Sequence, residues 1–151
     1  MSIWRNAVDP AFEQEHCRGT MIEHLGIRFT AYGDDWLEGT MPVNERTIQP
    51  FGLLHGGASV VLAETLGSHA ANLCLDRSRY SAVGQEINAN HLRAVRSGTV
   101  TGRASPIHLG LRSQVWSIEI RDERGRLTCI SRLTMSIVDA PTGGMLGKAR
   151  T

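Results

Sequence analysis

A chain of 151 residues with 41% apolar and 21% charged residues has the composition of one globular domain with a single core. Its net charge of +1 excludes a general polyanion-binding surface, so nucleic acid is not an expected partner. No run of about 18 apolar residues occurs, and residues 1–9 lack an apolar signal-peptide core, so neither a membrane span nor secretion is predicted. The widely spaced cysteines favour reduced packing residues over a disulfide or metal framework. We therefore expect a cytoplasmic protein without a metal.

Two short helices and a hairpin are predicted before residue 43. Asp9 followed by Pro10 is typical of a helix start, and this helix should end near Arg18. The spacing of Thr20 and Glu23 matches a capping box, which predicts a second short helix within an N-terminal helical segment over 1–26. Two strands joined by a tight turn are predicted next, at 27–32 and 36–42, followed by an irregular stretch at 43–54.

A long buried helix is predicted from Gly57 to about Leu75. Small and apolar residues fill most of its surface, which is typical of a helix packed closely against a sheet. Glu64 lies inside this apolar segment, where burying an ionised carboxylate is costly unless something compensates the charge. Chemistry is the commonest reason for such a carboxylate, so we interpret Glu64 as functional. The alternative is a structural ion pair with an arginine of the sheet.

Strand signals dominate the rest of the chain, with alternation of apolar and polar residues clearest around Trp116. Four strands are predicted, at 81–92, 99–106, 114–120 and 127–138, with a tight connection through 108–110. The order of elements predicts an α+β fold in which a curved antiparallel sheet wraps around one central helix. This single domain should span 1–138, and 139–151 should form a mobile tail.

Segments 49–68, 86–91, 107–110 and 114–116 carry a resemblance to a known family. Over about 21–138 the chain resembles the hotdog-fold acyl-CoA thioesterases, of the Arthrobacter 4-hydroxybenzoyl-CoA and enterobacterial aroyl-CoA and proofreading type. The resemblance implies a hotdog fold, and hydrolysis of acyl-CoA thioesters with a preference for aromatic acyl groups. It implies no cofactor beyond the CoA of the substrate, and dimers that pair into a homotetramer.

The residues for thioester hydrolysis lie around the start of the long helix. Free N–H groups of Gly56 and Gly57, together with the positive end of the helix dipole, suit an oxyanion site. Glu64 is expected to act as a nucleophile or as a base for water. The resemblance assigns the oxyanion donor to Gly56 and the catalytic carboxylate to Glu64. The alternative for the glycines is a tight turn onto the sheet.

Three polar residues are expected to assist this chemistry. Ser68 follows Glu64 by one helical turn and is predicted to orient Glu64 or water, or alternatively to bond its own backbone. Gln49 is predicted to donate to the thioester oxygen or hold the water, with a loop brace as the alternative. His55 is predicted to donate toward the carbonyl or the leaving thiolate, with a structural role as the alternative.

The proposed site requires two chains. Glu64 follows Gly56 along the helix by about 12 Å, so one carbonyl carbon cannot reach both residues of the same chain. A two-fold dimer with antiparallel central helices would bring Gly56 of one chain to Glu64 of the other. A homodimer with two shared sites is therefore predicted.

The phosphates of CoA are expected to meet arginines, with Arg93, Arg96 and Arg112 as candidates. Each of these could alternatively be a solvated surface residue. The resemblance implies a wider CoA and pantetheine wall that consists of Gly84, His91, Leu92, Arg93, Ala94, His108, Leu109, Gly110, Leu111, Arg112 and Ser113.

Two alternatives to hydrolysis remain at this point. An acyl-CoA dehydratase or hydratase of the same fold would use a histidine and an acid, for which His55 and Glu64 are available. A non-catalytic acyl-CoA sensor would need no acid in the core, and no DNA-binding helix-turn-helix accompanies the domain. The acyl group, the choice between CoA and carrier-protein thioesters, and the nucleophilic or basic role of Glu64 are left open.

Overall fold

The structure, a computed structural model, describes residues 1–140, and its elements follow the predicted order. Its elements are α1 (Pro10–His16), α2 (Met21–His24), β1 (Arg28–Tyr32), β2 (Leu37–Pro42), α3 (Gly56–Leu73), β3 (Tyr80–His91), β4 (Thr99–Leu109), β5 (Ser113–Arg121) and β6 (Leu127–Asp139). Asp139 still pairs with Tyr80 at the end of the sheet. The rest of the predicted tail, 141–151, lies outside the described residues.

The strands form one antiparallel sheet in the order β1-β2-β4-β5-β6-β3, so β3 is an edge strand. The helix α3 packs against β2, β3, β4, β5 and β6. Leu62 and Leu66 of α3 are fully buried in the same core as Trp116, Ile118 and Leu133 of the sheet. This is the α+β hotdog arrangement that the resemblance implies.

Glycines allow α3 to lie very close to the sheet. A Cβ at Gly67 would lie 2.6 Å from Leu133 Cδ2, and a Cβ at Gly102 would lie 2.8 Å from Leu66 Cδ1. Gly102 is paired with Gly39, whose own Cβ would lie 2.8 Å from Leu66 Cδ2. The two paired glycines therefore leave a smooth patch of backbone under Leu66, which sets the depth of the helix.

The predicted helix starts are confirmed to within one residue, whereas several element ends differ. Asp9 accepts from Ala11 N at 3.0 Å as the N-cap of α1, but α1 ends at His16, before the predicted Arg18. The strand predicted at 99–106 is longer than expected, because β4 continues to Leu109. Pro106 has no N–H to donate to a neighbouring strand. The strand forms a bulge directly after it, and pairing with β5 resumes at His108.

The N-terminal segment is tied to the far end of α3. The Trp4 ring stacks on Trp116 with a centroid separation of 6.4 Å. The Asn6 amide donates to Leu73 O at 2.9 Å and to Leu75 O at 2.7 Å. These bonds satisfy carbonyls that have no partner within a helix C-terminus.

A buried polar cluster joins α1 to α3. Glu13 is only 5% exposed, and its carboxylate lies 3.3 Å from Arg77 Nη2 and 3.7 Å from His69 Nε2. His69 Nδ1 bonds Thr65 O at 2.9 Å, and Cys17 Sγ lies 4.0 Å from His69 Nε2. Burial lowers the pKa of His69 below its ordinary value, and the Glu13 carboxylate opposes that shift.

Within residues 1–140, no helix has the length and hydropathy to cross a membrane.

Candidate active site

His55 caps the N-terminus of α3 and determines which N–H groups there are free. Its Nδ1 accepts from Gly57 N at 2.8 Å, and its carbonyl accepts from Ala58 N and Ser59 N. The prediction that Gly57 offers a free N–H is therefore wrong. The Gly56 N–H makes no hydrogen bond in the part of the chain that the structure describes, so of the two glycines only Gly56 keeps a free N–H for a ligand.

The cap also sets the tautomer of His55. Because Nδ1 accepts a hydrogen bond, the proton of the neutral ring lies on Nε2, which is free to donate. The backbone N–H of His55 donates to Thr47 O at 2.8 Å and anchors the loop. The ring is exposed on the single chain. His55 thus has the structural role given as the alternative and keeps one donor for a ligand.

Gln49 braces its own loop through one half of its amide. Its Oε1 accepts from Phe51 N, and its backbone N donates to Leu53 O at 2.8 Å. Within residues 1–140 its Nε2 group makes no hydrogen bond and can therefore donate. The loop brace and the donor role are compatible, because they use different atoms of the same side chain.

His91 lies directly against the start of α3. A Cβ at Gly56 would lie 2.7 Å from His91 Nε2, so only glycine fits beside this ring. A cleft of about 300 Å³ opens here, lined by Gln49, Leu53, Leu54, Gly56, Ser59, His91, Leu92, Arg93, Ala94 and Thr128. We call Gln49, His55, Gly56 and residues 91–94 the loop half of the site.

Glu64 lies further along α3 and faces β3. A Cβ at Gly84 would lie 2.7 Å from Glu64 Oε1, so a side chain there would displace the carboxylate. Glu64, predicted to be buried, is partly exposed in one chain, where it lies beside β3 at the edge of the sheet. Among the described residues, no arginine pairs with Glu64 and its carboxylate makes no hydrogen bond. The ion-pair alternative therefore has no support.

Ser68 completes this second group. Its hydroxyl donates to Met135 Sδ at 3.8 Å, so it does not bond the backbone of its own helix as the alternative supposed. Met135 is paired with Gly84, which places Ser68 and Glu64 over the same part of the sheet. We call Glu64, Ser68 and Gly84 the glutamate half of the site.

The register of the sheet divides the predicted CoA residues between the two halves. Gly84 pairs with Met135, Met135 with Gln114, and Gln114 with Leu109. The hairpin at 108–113 therefore lies at the same level along the strands as the glutamate half. His91 pairs instead with Cys129. Along β6, Cys129 and Met135 are about 20 Å apart. One chain therefore does not bring the two halves together.

A larger cleft of about 1050 Å³ accompanies the hairpin, lined in part by residues 109–112. Arg112 lies in this cleft with Arg5 and Tyr80, which the sequence analysis missed. No sequence signal points to Arg5, because only the packing of the N-terminal segment brings it there. Arg93 lies in the smaller cleft, and Arg96 lines neither of these two clefts.

The fold and the two half-sites define an enzyme of the thioester-hydrolase class. Residues 51–129 match the sequence pattern of the thioesterase superfamily, and the chain belongs to this family.

Several relatives match over most of their length. The chain is 55% identical over 136 residues to 1,4-dihydroxy-2-naphthoyl-CoA hydrolase of Escherichia coli K12, covering 90% of this chain and 99% of that one. It is 59% identical over 120 residues to proofreading thioesterase EntH of Cronobacter sakazakii, covering 80% and 87%.

Solved structures agree with the sequence relatives. A mutant of thioesterase PA1618 from Pseudomonas aeruginosa has a TM-score of 0.90 at 51% identity, covering 91% of this chain and 99% of that chain. Thioesterase HI1161 from Haemophilus influenzae has a TM-score of 0.89 at 49% identity, covering 98% and 99%.

Proposed function

We propose that this protein hydrolyses acyl-CoA thioesters, preferably with aromatic acyl groups, to a free acid and CoA. The observation that carries the proposal is the carboxylate of Glu64, which is unpaired within residues 1–140 although it stands on an otherwise apolar central helix. A structural glutamate on such a helix would be expected to have a partner. The naphthoyl-CoA substrate in the name of the Escherichia coli relative supports CoA thioesters and an aromatic acyl group.

The proposed site forms across a homodimer joined at β3. An edge strand leaves backbone N–H and C=O groups free to pair with another strand. A two-fold axis midway between Gly84 and His91, near Ile87, would pair two β3 strands antiparallel. Gly84 of one protomer would then lie beside His91 of its partner. Glu64 and Gly56, which contact these two residues, would face each other across the interface.

The chemistry follows from these positions. In this proposal the thioester oxygen accepts from Gly56 N–H at the positive end of α3, and the Gln49 amide and His55 Nε2–H serve as further donors. Glu64 of the other protomer then attacks the carbonyl carbon, which expels the CoA thiolate and leaves a mixed anhydride that water hydrolyses. Alternatively, Glu64 takes a proton from a water molecule that attacks directly. In both routes the Ser68 hydroxyl would turn from Met135 Sδ to orient the carboxylate or the water, and no cofactor is needed.

The same two-fold axis brings the clefts of two chains together. The hairpin at 108–113 lies at the same level of the sheet as the glutamate half, and residues 91–94 are part of the loop half, so the dimer would place Arg112 of one protomer near Arg93 of the other. The nucleotide phosphates of CoA would be bound there by charge-assisted hydrogen bonds. Carrier-protein thioesters would lack the adenosine contacts, so we propose CoA as the carrier. We further propose that two dimers pair into a homotetramer.

Turnover of benzoyl-CoA by Glu64→Gln tests the mechanism. We expect kcat to fall about 10³-fold or more, because a central catalytic group is lost. The melting temperature should not fall, because the change removes a charge that assembly desolvates. Glu15→Gln, on the exposed surface of α1, is the matched control and should keep full activity.

Release of free thiol from benzoyl-, hexanoyl- and palmitoyl-CoA by the native enzyme tests the substrate class. The highest kcat/KM should belong to benzoyl-CoA. Near-normal turnover by a folded Glu64→Gln protein would contradict the mechanism. Hydration of an enoyl-CoA without release of thiol would favour the hydratase, and binding of acyl-CoA without turnover would favour the sensor.

A further inference from the structure

Asn72 joins the glutamate half of α3 to the beginning of β3. Its Nδ2 donates to Ala82 O at 3.0 Å and to Ser68 O at 2.9 Å, and its Oδ1 accepts from Ala82 N at 2.9 Å. The side-chain amide thus bonds both peptide groups of Ala82, as a neighbouring strand would. One partly buried side chain thereby fixes a strand residue and a turn of the helix relative to each other.

These bonds lie next to the groups that the proposed mechanism uses. Asn72 follows Ser68 by one helical turn and Glu64 by two turns, so the three residues share one face of α3. Ala82 stands two positions before Gly84, which contacts the Glu64 carboxylate. A shift of β3 relative to α3 at Ala82 would therefore move Gly84 relative to Glu64.

The same bonds limit the free edge of β3. Because Asn72 takes both the N–H and the C=O of Ala82, this residue has no peptide group left for a second copy of the strand. The edge open to pairing therefore begins beyond Ala82 and extends to His91, where β3 ends. The middle of that stretch is near Ile87, which is where the proposed two-fold axis must pass to align the half-sites.

We propose that Asn72 is a positioning residue of the active site, which holds β3 on α3 so that Glu64 and the register of the dimer are correctly placed. This inference rests on the proposed function. Asn72 does not itself reach the reacting atoms, and it acts through Glu64 and through the edge of β3. Its loss should therefore lower kcat more than it changes KM.

Asn6 provides a matched control. Its amide also makes several hydrogen bonds to the end of α3, to the carbonyls of Asn72, Leu73 and Leu75, but it bonds no residue of β3. Asn6→Ala removes a similar number of bonds from the same helix end. A merely structural role for Asn72 predicts that the two alanine variants behave alike.

The test compares Asn72→Ala and Asn6→Ala with benzoyl-CoA as substrate. We expect Asn72→Ala to lower kcat by about 10- to 100-fold, because a misplacement of about 1 Å has effects of this size. Asn6→Ala should lower the melting temperature about as much as Asn72→Ala does, but its kcat should stay within about 2-fold of the native value. Light scattering on a dilution series should show that Asn72→Ala dissociates at a higher protein concentration than Asn6→Ala does.

Asn72→Asp keeps the size of the side chain and its acceptor for Ala82 N, so it provides the test if Asn72→Ala does not fold. It should lose less kcat than Asn72→Ala. In a Glu64→Gln background, at protein concentrations where both variants remain dimeric, Asn72→Ala should cause little further loss of kcat, because its effect on the chemical step is exerted through Glu64. Equal kcat for the Asn72 and Asn6 variants would overturn the positioning role and leave the proposed function intact. Full turnover by Glu64→Gln alone would overturn the proposed function itself.

Discussion

His69 is a residue of α3 that faces α1, and burial there disfavours the protonated ring. The Glu13 carboxylate, the Arg77 guanidinium, the Cys17 thiol and the nearby His16 are the titratable or charged groups that we identify around it. Its pKa is lowered on folding, so the folded state binds fewer protons than the unfolded chain. The contribution of neutral His69 to the free energy of unfolding is therefore fully present above about pH 6.5, and it is lost as the pH falls through the lowered pKa of His69.

His69→Gln should remove this part of the pH dependence. We expect the drop in melting temperature between pH 7.5 and pH 5.5 to be smaller in His69→Gln than in the native protein. His24→Gln, at the exposed end of α2, makes the same chemical change away from the cluster and should keep the native drop. Identical drops in all three proteins would show that His69 does not couple to folding.

The sequence predicts the principal residues of the half-sites but not their bonds. Glu64 and Gly56 are found because a carboxylate in an apolar helix and a glycine at a helix start are local signals. The use of Gly57 N–H by His55 depends on a side-chain rotamer that no spacing encodes. Asn72 carries a helical spacing from Glu64 and Ser68 that points to it, but its partner Ala82 is reached only through the folded chain.

The hairpin between β4 and β5 is the element on which the binding of CoA can be tested. Arg112 at its tip lies in the larger cleft, remote from the carbonyl carbon in the proposed complex. Arg112→Ala should raise KM for benzoyl-CoA about 3- to 10-fold and change kcat little, because a remote contact stabilises ground and transition states alike. Added salt should reduce the difference from the native enzyme, since exposed charges are screened.

A truncated substrate separates nucleotide binding from support of the fold. With the N-acetylcysteamine thioester of benzoate, which has no phosphates, Arg112→Ala should equal the native enzyme. Arg18→Ala, which removes an exposed arginine paired with Glu15 beside α1, should equal it with both substrates. A penalty on the truncated thioester as large as that on benzoyl-CoA would show that Arg112 supports the hairpin instead.

Element order is predictable here because helix and strand periodicities are local. The end of β4 is not, since Pro106 reads as a strand terminator and the bulge that carries pairing past it depends on β5. The edge position of β3 is likewise a property of the whole sheet. That position is consistent with the partial exposure of Glu64 in one chain, which the apolar pattern of α3 does not reveal.

At the scale of the molecule, two kinds of defective subunit should complement each other. Gln49→Ala damages the loop half and Glu64→Ala the glutamate half, so each homodimer has two defective sites. A heterodimer of the two has one site in which both residues are intact. After exchange of an equal mixture, about a quarter of the native activity should return, since half of the dimers are mixed and each has one good site.

Mass spectrometry of the intact complex would confirm that subunits have exchanged. A mixture of Gln49→Ala with a second loop-half variant, His55→Ala, is the matched control and should recover nothing, because every shared site then lacks one loop-half residue. Absence of recovery in the first mixture, despite proven exchange, would show that each site is built within one chain.

The partial exposure of Glu64 in one chain has a consequence for the stage of assembly at which activity would appear. A newly synthesised chain can fold with this carboxylate still hydrated, because no second strand yet covers the outer side of β3. In the proposed dimer the desolvation of the charge would be deferred from folding to association, so the stability of the lone subunit would not be reduced by the carboxylate of Glu64. Hydrolytic power would therefore first arise when two finished subunits meet, and unassembled chains would leave the thioester pool of the cell untouched.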